Sequence, residues 1–201
     1  MSSKGLTKKS ELKKAAIVSG ARRVFAQKGF LSVTMKDIID ACHISRGGIY
    51  LYFDSVDDIF FEAVTQRSVR QFDNIREEIK KNPPFNLIFK NYLAEQKKRL
   101  LNYDNNDDSL LRAMYEYSFT HHADRDKKLK QKQMNATKAT VRSLLDLGVK
   151  QGALSGQNIK VIADNFMLLI EGMNIMALTG ELKAQQIDSQ FELFAQSVCD
   201  L

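Results

Sequence analysis

The segment from Ser45 to Phe53, with the sequence SRGGIYLYF, places two adjacent glycines at the start of a segment rich in aromatic residues. Ser45 is a good helix N-cap, so the segment is expected to begin a helix there. Gly47 and Gly48 each cost a helix about 1 kcal/mol relative to alanine. That cost favours a helix whose backbone has to approach another surface closely, and the wall or phosphates of a DNA groove are the candidate.

The residues before this segment predict two supporting helices. The first is expected from Ser10 to the stop at Lys28 and Gly29. Its inward face is expected to hold Leu12, Ala16, Ile17, Ala21, Val24 and Phe25.

A second, short helix is expected to open with a capping box formed by Thr34 and Asp37. The three residues 42–44 then connect it to the third helix. Two short helices joined by a tight turn and braced by a longer one form a helix-turn-helix, here at about residues 34–53.

The third helix has two faces with different chemistry. At 100° per residue, Ile49 and Phe53 turn toward the supporting helices, with Tyr52 at the edge of that arc. The opposite arc holds the residues Arg46, Gly47, Tyr50 and Leu51, with Gly48 behind them. Arginine can bond guanine O6 and N7, a tyrosine hydroxyl suits a phosphate oxygen, and leucine can contact a thymine methyl. The alternatives are a surface aromatic for Tyr50 and an incidental exposed residue for Leu51.

The positive charge of the chain lies in its first quarter. Residues 1–53 contain ten Lys and Arg against three acidic residues, a net charge of +7, whereas the remainder has twenty basic and twenty-one acidic residues, a net charge of −1. This asymmetry favours a polyanionic partner for the first quarter alone. A solvated basic arm from Lys4 to Lys14 explains part of it equally well.

Beyond residue 55 the pattern predicts only helices. They are expected at 56–81, 84–102, 109–122, 126–151, 157–180 and 184–199. The apolar stretch 161–178 contains Asp164, Asn165, Glu171 and Asn174, which favours a buried helix over a membrane span. A secretory signal has an apolar segment after its charged start, and the N-terminus has no such segment. The two cysteines form no CxxC pair. We therefore expect a reduced cytoplasmic protein with no membrane partner.

The segment GFLSVTMKDIIDACHISRGGIYLYF resembles the DNA-binding segment of TetR-type transcriptional regulators. The resemblance extends over about residues 13–65, and its most specific marks are Phe25, Gly29, Phe30, Thr34, Ile38, Ser45, Gly47 or Gly48, Tyr50 and Phe53. It implies an all-α protein with a helix-turn-helix DNA-binding domain at 1–55 and a ligand-binding and dimerisation domain at 56–201. The residues that it places at or near the duplex are Thr34, Lys36, Ser45, Arg46, Gly47, Gly48, Tyr50 and Tyr52.

Three residues depart from the family pattern. Ile39 stands where a small residue is usual, and His43 stands where the turn usually has glycine, although histidine tolerates a left-handed backbone. Val56 occupies the place of a phosphate-binding lysine at the start of the fourth helix, with Asp54, Asp57 and Asp58 around it. That phosphate contact is therefore in doubt, although Ser55 and Asp58 can still cap the helix.

The resemblance also implies a homodimer on a palindromic operator, released by a small molecule, and typically a repressor. The expected dimer interface consists of Ile162, Phe166, Leu169, Ile170, Phe191, Phe194 and Val198, and the alternative is that these residues fill the core of their own subunit. The expected effector contacts are Phe89, Tyr92, Met114, Tyr115, Tyr117, Phe119, His122, Phe166, Met173 and Met176, and again the alternative is plain core. A buried Glu116 or Glu171 would indicate a cationic effector.

Other functions have weaker support. His121 and His122 are adjacent and project about 100° apart on a helix, which is poor geometry for one metal, and no nucleophile motif or phosphate loop occurs. We therefore expect no catalysis, no metal and no cofactor. One alternative is a thiol-responsive regulator in which Lys36 and Arg46 lower the pKa of Cys42, against a buried small hydrophobe at that position. Another alternative is a transcriptional activator of the same fold.

Overall fold

The computed structural model describes residues 8–103 and 109–199. Within these ranges the chain forms nine α-helices and no strand, in agreement with the all-α prediction. The helices are α1 (Lys8–Lys28), α2 (Met35–Cys42), α3 (Arg46–Tyr50), α4 (Val56–Lys80), α5 (Phe85–Leu101), α6 (Leu111–Thr120), α7 (Asp124–Lys150), α8 (Ile159–Leu178) and α9 (Ala184–Cys199).

The chain divides into two compact units. Unit 1 contains residues 8–67 and 109–123, and unit 2 contains residues 68–103 and 124–199. This division differs from the expected functional domains 1–55 and 56–201, because the first part of α4 and all of α6 belong to unit 1. Which residues are needed for DNA binding stays a prediction.

Helix α1 begins at Lys8, two residues before the expected cap at Ser10, and its N-terminal turns extend past the core. Leu12 is 64% exposed and Ala16 is exposed too, so the buried face begins only at Ile17. Their predicted burial was wrong, because periodicity identifies the apolar face of a helix but not how far along that helix the core extends.

Aromatic side chains from four elements form the centre of unit 1. The rings of Phe25 and Phe60 meet edge to face with their centroids 4.9 Å apart, and Phe30 meets Tyr117 in the same way at 4.9 Å. Such edge-to-face pairs contribute about 0.5–1.5 kcal/mol beyond the area they bury. Tyr117 lies on α6, so α6 is part of this core.

Unit 2 consists of the second part of α4 with α5, α7, α8 and α9. Phe166 of α8 is fully buried at its centre, with Phe191 and Phe194 of α9 around it. Helix α8 has the length and apolar composition of a membrane-crossing helix, but core helices of soluble proteins share that composition. One face of α8 packs inside unit 2, as predicted for a buried helix.

The start of α2 is fixed by a charged capping box, as predicted. The Thr34 hydroxyl accepts from the Asp37 N–H at 3.2 Å, and the Asp37 carboxylate accepts from the Thr34 N–H at 2.8 Å. Lys28, at the end of α1, donates to the same carboxylate at 2.6 Å. The hydrogen bond from Lys28, followed by those from Thr34, lowers the pKa of Asp37 to about 2. The box therefore keeps its charge through the ordinary titration range of a carboxylate.

We predict that Asp37 stabilises unit 1 in a pH-dependent way. Because its pKa is lower in the folded chain, its contribution is present above the ordinary carboxylate pKa near 4 and is lost as the pH falls toward 2. Asp37→Asn should therefore lower the urea midpoint of unfolding at pH 6. The difference between its midpoint and that of the wild type should shrink as the pH is lowered toward 2. Asp40→Asn in the same helix is the control, and a wild-type advantage that stays constant down to pH 2 would contradict the prediction.

Candidate DNA-binding surface

The turn between α2 and α3 is held in a left-handed conformation by His43. Its φ and ψ are 51° and 41°, and its N–H donates to the carbonyl of Asp40 at 3.3 Å. The next N–H, of Ile44, donates to the carbonyl of Ile39 at 3.3 Å. The prediction that histidine can replace glycine in this turn is confirmed.

Helix α3 is capped and anchored as the sequence predicts, but it is shorter than the quoted segment. The Ser45 hydroxyl accepts from the Gly48 N–H at 3.1 Å. Ile49 is fully buried and Phe53 is 5% exposed, so both face the supporting helices. The helix ends at Tyr50, and the N–H groups of Tyr52 and Phe53 both donate to the carbonyl of Ile49 in the turn that follows.

The two glycines of α3 have different surroundings. A Cβ at Gly48 would approach the Ile44 side chain and the Ser45 hydroxyl to 3.0 Å, so a side chain at Gly48 would crowd the turn. A Cβ at Gly47 would meet nothing within 4 Å. Only Gly47 therefore lacks an internal reason to be glycine, and it lies on the exposed outer face.

The outer face of α3 is exposed and positively charged. Leu51 is 80% exposed, Tyr50 is 42% exposed, and Arg46 is exposed beside them. Among the residues that the structure describes, none pairs with Arg46 or with the exposed Lys36. Of the predicted DNA-binding residues, Gly48 and Tyr52 are half-buried and the other six are exposed. These side chains are thus available to a ligand from solvent.

Two of the predicted DNA-binding residues already have a structural task. The Thr34 hydroxyl also donates to the Asp37 carboxylate at 2.8 Å, so its proton is engaged in the capping box. The Ser45 hydroxyl caps α3. Both residues lie at the exposed N-termini of the two helices, where free N–H groups favour anions. A phosphate contact at either position stays a prediction.

The basic residues of the first quarter separate into two groups. Lys14 pairs with Glu62 at 3.0 Å, Lys28 pairs with Asp37, and Arg22 is 6% exposed, so these three serve the fold. Lys4 lies outside the described residues. The other exposed basic residues of this segment are Lys8, Lys9, Lys13, Arg23, Lys36 and Arg46.

Cys42 lies where α1 and α2 pack, in a groove of about 420 Å³ whose walls include Lys13 and Tyr52. Its thiol donates to the carbonyl of Ile17 at 3.6 Å. Burial raises the pKa of Cys42, and the opposing effects of Arg23 and of a backbone hydrogen bond are smaller. Neither Lys36 nor Arg46 contributes. A raised pKa disfavours the reactive thiolate, so the packing alternative describes Cys42 better than the thiol switch.

The start of α4 lacks a basic residue but is well capped. The Ser55 hydroxyl donates to the Asp58 carboxylate at 2.7 Å and accepts from the Asp58 N–H at 3.1 Å. Val56 is half-buried, and Asp57 lies 3.5 Å from Nε2 of His121. The expected cap is confirmed, and α4 offers no cation to a phosphate at its first residue.

The expected effector contacts do not form one cluster. Phe89, Phe166 and Met173 are buried in the core of unit 2, together with the half-buried Tyr92, while Met176 is exposed. The others belong to unit 1, where Tyr115 and Tyr117 are buried, Met114 is half-buried, and Phe119 and His122 are exposed.

The two acids near the expected effector contacts serve other bonds. Glu171 pairs with Lys130 at 2.7 Å, and Glu116 binds backbone N–H groups of unit 1. Neither is a buried acid that awaits a cationic ligand.

The expected dimer residues fill the core of their own subunit, which was the alternative reading. Leu169 is half-buried, and the other six are buried, namely Ile162, Phe166, Ile170, Phe191, Phe194 and Val198. The exposed apolar side chains of the same two helices are Val161, Leu168, Ile175, Met176 and Leu193. A spacing of seven residues relates Val161, Leu168 and Ile175, so the sequence did contain this second stripe.

A capped pair of short helices, a left-handed turn between them and a charged outer face define a helix-turn-helix DNA-binding domain. Residues 17–63 match the family model described as bacterial regulatory proteins, tetR family. This N-terminal segment is therefore similar to the DNA-binding segment of TetR-family helix-turn-helix transcriptional regulators.

Curated relatives match less than half of the chain. The uncharacterized HTH-type transcriptional regulator YfiR of Bacillus subtilis is 36% identical over 80 residues, which cover 38% of this chain and 39% of YfiR. YerO of the same organism is 33% identical over 86 residues, which cover 41% of this chain and 30% of YerO. The chain thus matches well under half of the length of these relatives.

Solved structures are similar over almost the whole chain. The reduced form of Escherichia coli NemR has a TM-score of 0.73 at 13% identity, covering 90% of this chain and 97% of NemR. A transcriptional regulator structure from Saccharomonospora viridis in complex with choline has a TM-score of 0.71 at 20% identity, and the match covers 92% of this chain and 96% of that one. At such identities the likeness shows the fold.

Proposed function

We propose that this chain is a cytoplasmic transcriptional regulator that binds a palindromic operator as a homodimer and is released by a small molecule, most simply a repressor. The observation that carries the proposal is the outer face of α3. That face presents Arg46, which pairs with none of the described residues, a bare backbone at Gly47 and the exposed ring of Tyr50. A surface with this chemistry suits the major groove of DNA.

Each residue of the face has a distinct task in this proposal. Arg46 bonds guanine O6 and N7 and gives sequence preference, because a guanidinium matches both acceptors at once. Gly47 lets the helix backbone approach the duplex. Tyr50, with Lys36 of α2, contacts phosphates and fixes the register without reading sequence.

A dimer follows from the size of α3. A helix of five residues contacts too few base pairs to select one site alone, so two copies are needed on two half-sites. The exposed stripe of α8 supports a dimer face there, since exposed apolar patches mark interaction sites. A groove of about 620 Å³ between α8 and α9 continues this face, and a Cβ at Gly172 within it would meet nothing.

The effector is proposed to bind in unit 2. Its core contains three of the expected contacts, Phe89, Phe166 and Met173, and the aromatic ring of Tyr92 lies 5.7 Å from that of Phe166. The similar Saccharomonospora viridis structure holds choline, which supports a small-molecule site in this fold. Ligand release then requires that the effector binds one of two dimer states more tightly than the other.

We predict that selection from a random duplex library at near-physiological salt recovers a palindrome. Arg46→Ala should then cost about 1–3 kcal/mol of binding and relax the preference at one position of each half-site. Arg46→Lys is the matched control, since it keeps the charge but loses the bidentate geometry, and it should lose preference while keeping affinity for scrambled DNA.

A different outcome of the same selection would contradict the proposal. Wild-type protein that recovers no palindrome and binds all duplexes with the same steep salt dependence is only an electrostatic binder. In that case, the proposal of a sequence-specific regulator fails.

We further predict that Leu168→Glu dissociates the dimer. Burying each leucine contributes about 1.5–3 kcal/mol, and both copies lose it, so the dissociation constant should rise about a hundredfold or more. Sedimentation velocity with circular dichroism separates dissociation from unfolding. Leu87→Glu, at an exposed leucine of α5, is the control and should leave the dimer intact. A Leu168→Glu protein that stays dimeric would move the interface away from α8.

A further inference from the structure

Helix α6 belongs to the DNA-binding unit although the chain on both sides of it belongs to unit 2. Residues 68–103 and 124–199 form unit 2, whereas α6 packs with α1 in unit 1. Tyr117 of α6 completes the aromatic core with Phe30 and Phe60. DNA-reading helices and α6 thus form one packed body.

A single carboxylate of α6 binds the linker that joins α1 to α2. Glu116 accepts the N–H of Phe30 at 2.6 Å and the N–H of Leu31 at 3.0 Å. Arg112, one turn earlier on α6, donates to the other carboxylate oxygen at 2.7 Å. Charge-assisted hydrogen bonds of this kind are about twice as strong as neutral ones. We call Glu116 with these two N–H groups the linker clasp.

The backbone of the linker is shaped for the clasp. Gly29 has a φ of +77°, which favours glycine, and a Cβ at this position would collide with the carboxylate of Glu116. The next residue, Phe30, is 7% exposed, and its ring meets that of Tyr117 on α6 edge to face. Polar and apolar contacts together therefore fix the linker to α6, only a few residues before the cap of α2 at Thr34.

The carboxylate is ionised when it holds the linker. Partial burial acts to raise its pKa, but hydrogen bonds from the Leu31 N–H, from Arg112 and from the Phe30 N–H outweigh burial and keep the pKa of Glu116 below its ordinary value. At neutral pH the linker is thus held by a full negative charge.

We propose that Glu116 is a positioning residue for DNA recognition, through which α6 sets the pose of α2 and α3. The proposal rests on the proposed function, because it concerns what holds the same DNA surface in place. Glu116 itself touches no DNA in this proposal, so its loss should affect sequence discrimination and not general affinity.

The test uses full-length protein, the palindrome recovered by selection and a scrambled duplex. Glu116→Ala should weaken operator binding about tenfold, as expected for a lost charge-assisted bond, and leave scrambled-duplex binding unchanged. Arg112→Ala is the matched control on α6, and it should change operator binding about twofold or less because both backbone N–H groups keep their acceptor. Glu116→Gln keeps one acceptor oxygen and should fall between the two.

A spectroscopic readout separates positioning from simple loss of stability. The amide proton resonances of Phe30 and Leu31 should shift with acid in the wild type as Glu116 is protonated, and should show no such shift in Glu116→Gln. Should Glu116→Ala fail to fold, Glu116→Leu replaces it, because leucine keeps the bulk of the side chain but offers no acceptor oxygen to the two N–H groups. Wild-type operator preference in a folded Glu116→Leu protein overturns the proposal.

Failure of the clasp and failure of the proposed function look different. Wild-type protein that does not distinguish the operator from the scrambled duplex removes the proposed function. Wild-type protein that does distinguish them, together with a folded Glu116→Ala variant that does so equally well, removes only the role of Glu116.

Discussion

The DNA-binding surface depends above all on capping, because its two helices are too short to persist alone. Isolated helices below about twelve residues are marginal in water, and α2 has eight residues and α3 only five. The Thr34–Asp37 box, strengthened by Lys28, fixes the start of α2, and the Ser45 hydroxyl fixes the start of α3. Both caps also leave the helix N-termini exposed, so the groups that stabilise the fold stand where we propose that phosphates bind.

A second constraint concerns the two adjacent glycines of α3, which lower the stability of the helix. At Gly48 a side chain would crowd Ile44 and Ser45, whereas Gly47 has open space around it. A folded chain that needed only stability would gain from alanine at Gly47. The same logic applies at Gly29, where the clasp by Glu116 excludes a side chain. The glycines near α2 and α3 thus mark places where something other than helix propensity decides.

Local interactions were predictable and distant ones were not. The caps at Thr34, Ser45 and Ser55 and the left-handed turn at His43 could be predicted because each involves residues within a few positions. The hydrogen bond from the Phe30 N–H to Glu116 joins residues 86 positions apart, and no sequence pattern predicts it. Helix α8 is apolar on more than one face, so periodicity found a stripe but could not tell core from surface, and the expected dimer residues proved to be core.

The central claim is that the outer face of α3 is bare because DNA approaches it. The measurement that tests it most directly is to compare Gly47→Ala with the wild type in both unfolding and operator binding. The account predicts that unfolding free energy rises by about 0.5–1 kcal/mol, since alanine suits a helix better and meets no neighbour, while operator affinity falls because the added methyl separates the backbone from the duplex. A stabilised variant that binds the operator as tightly as the wild type would contradict the account.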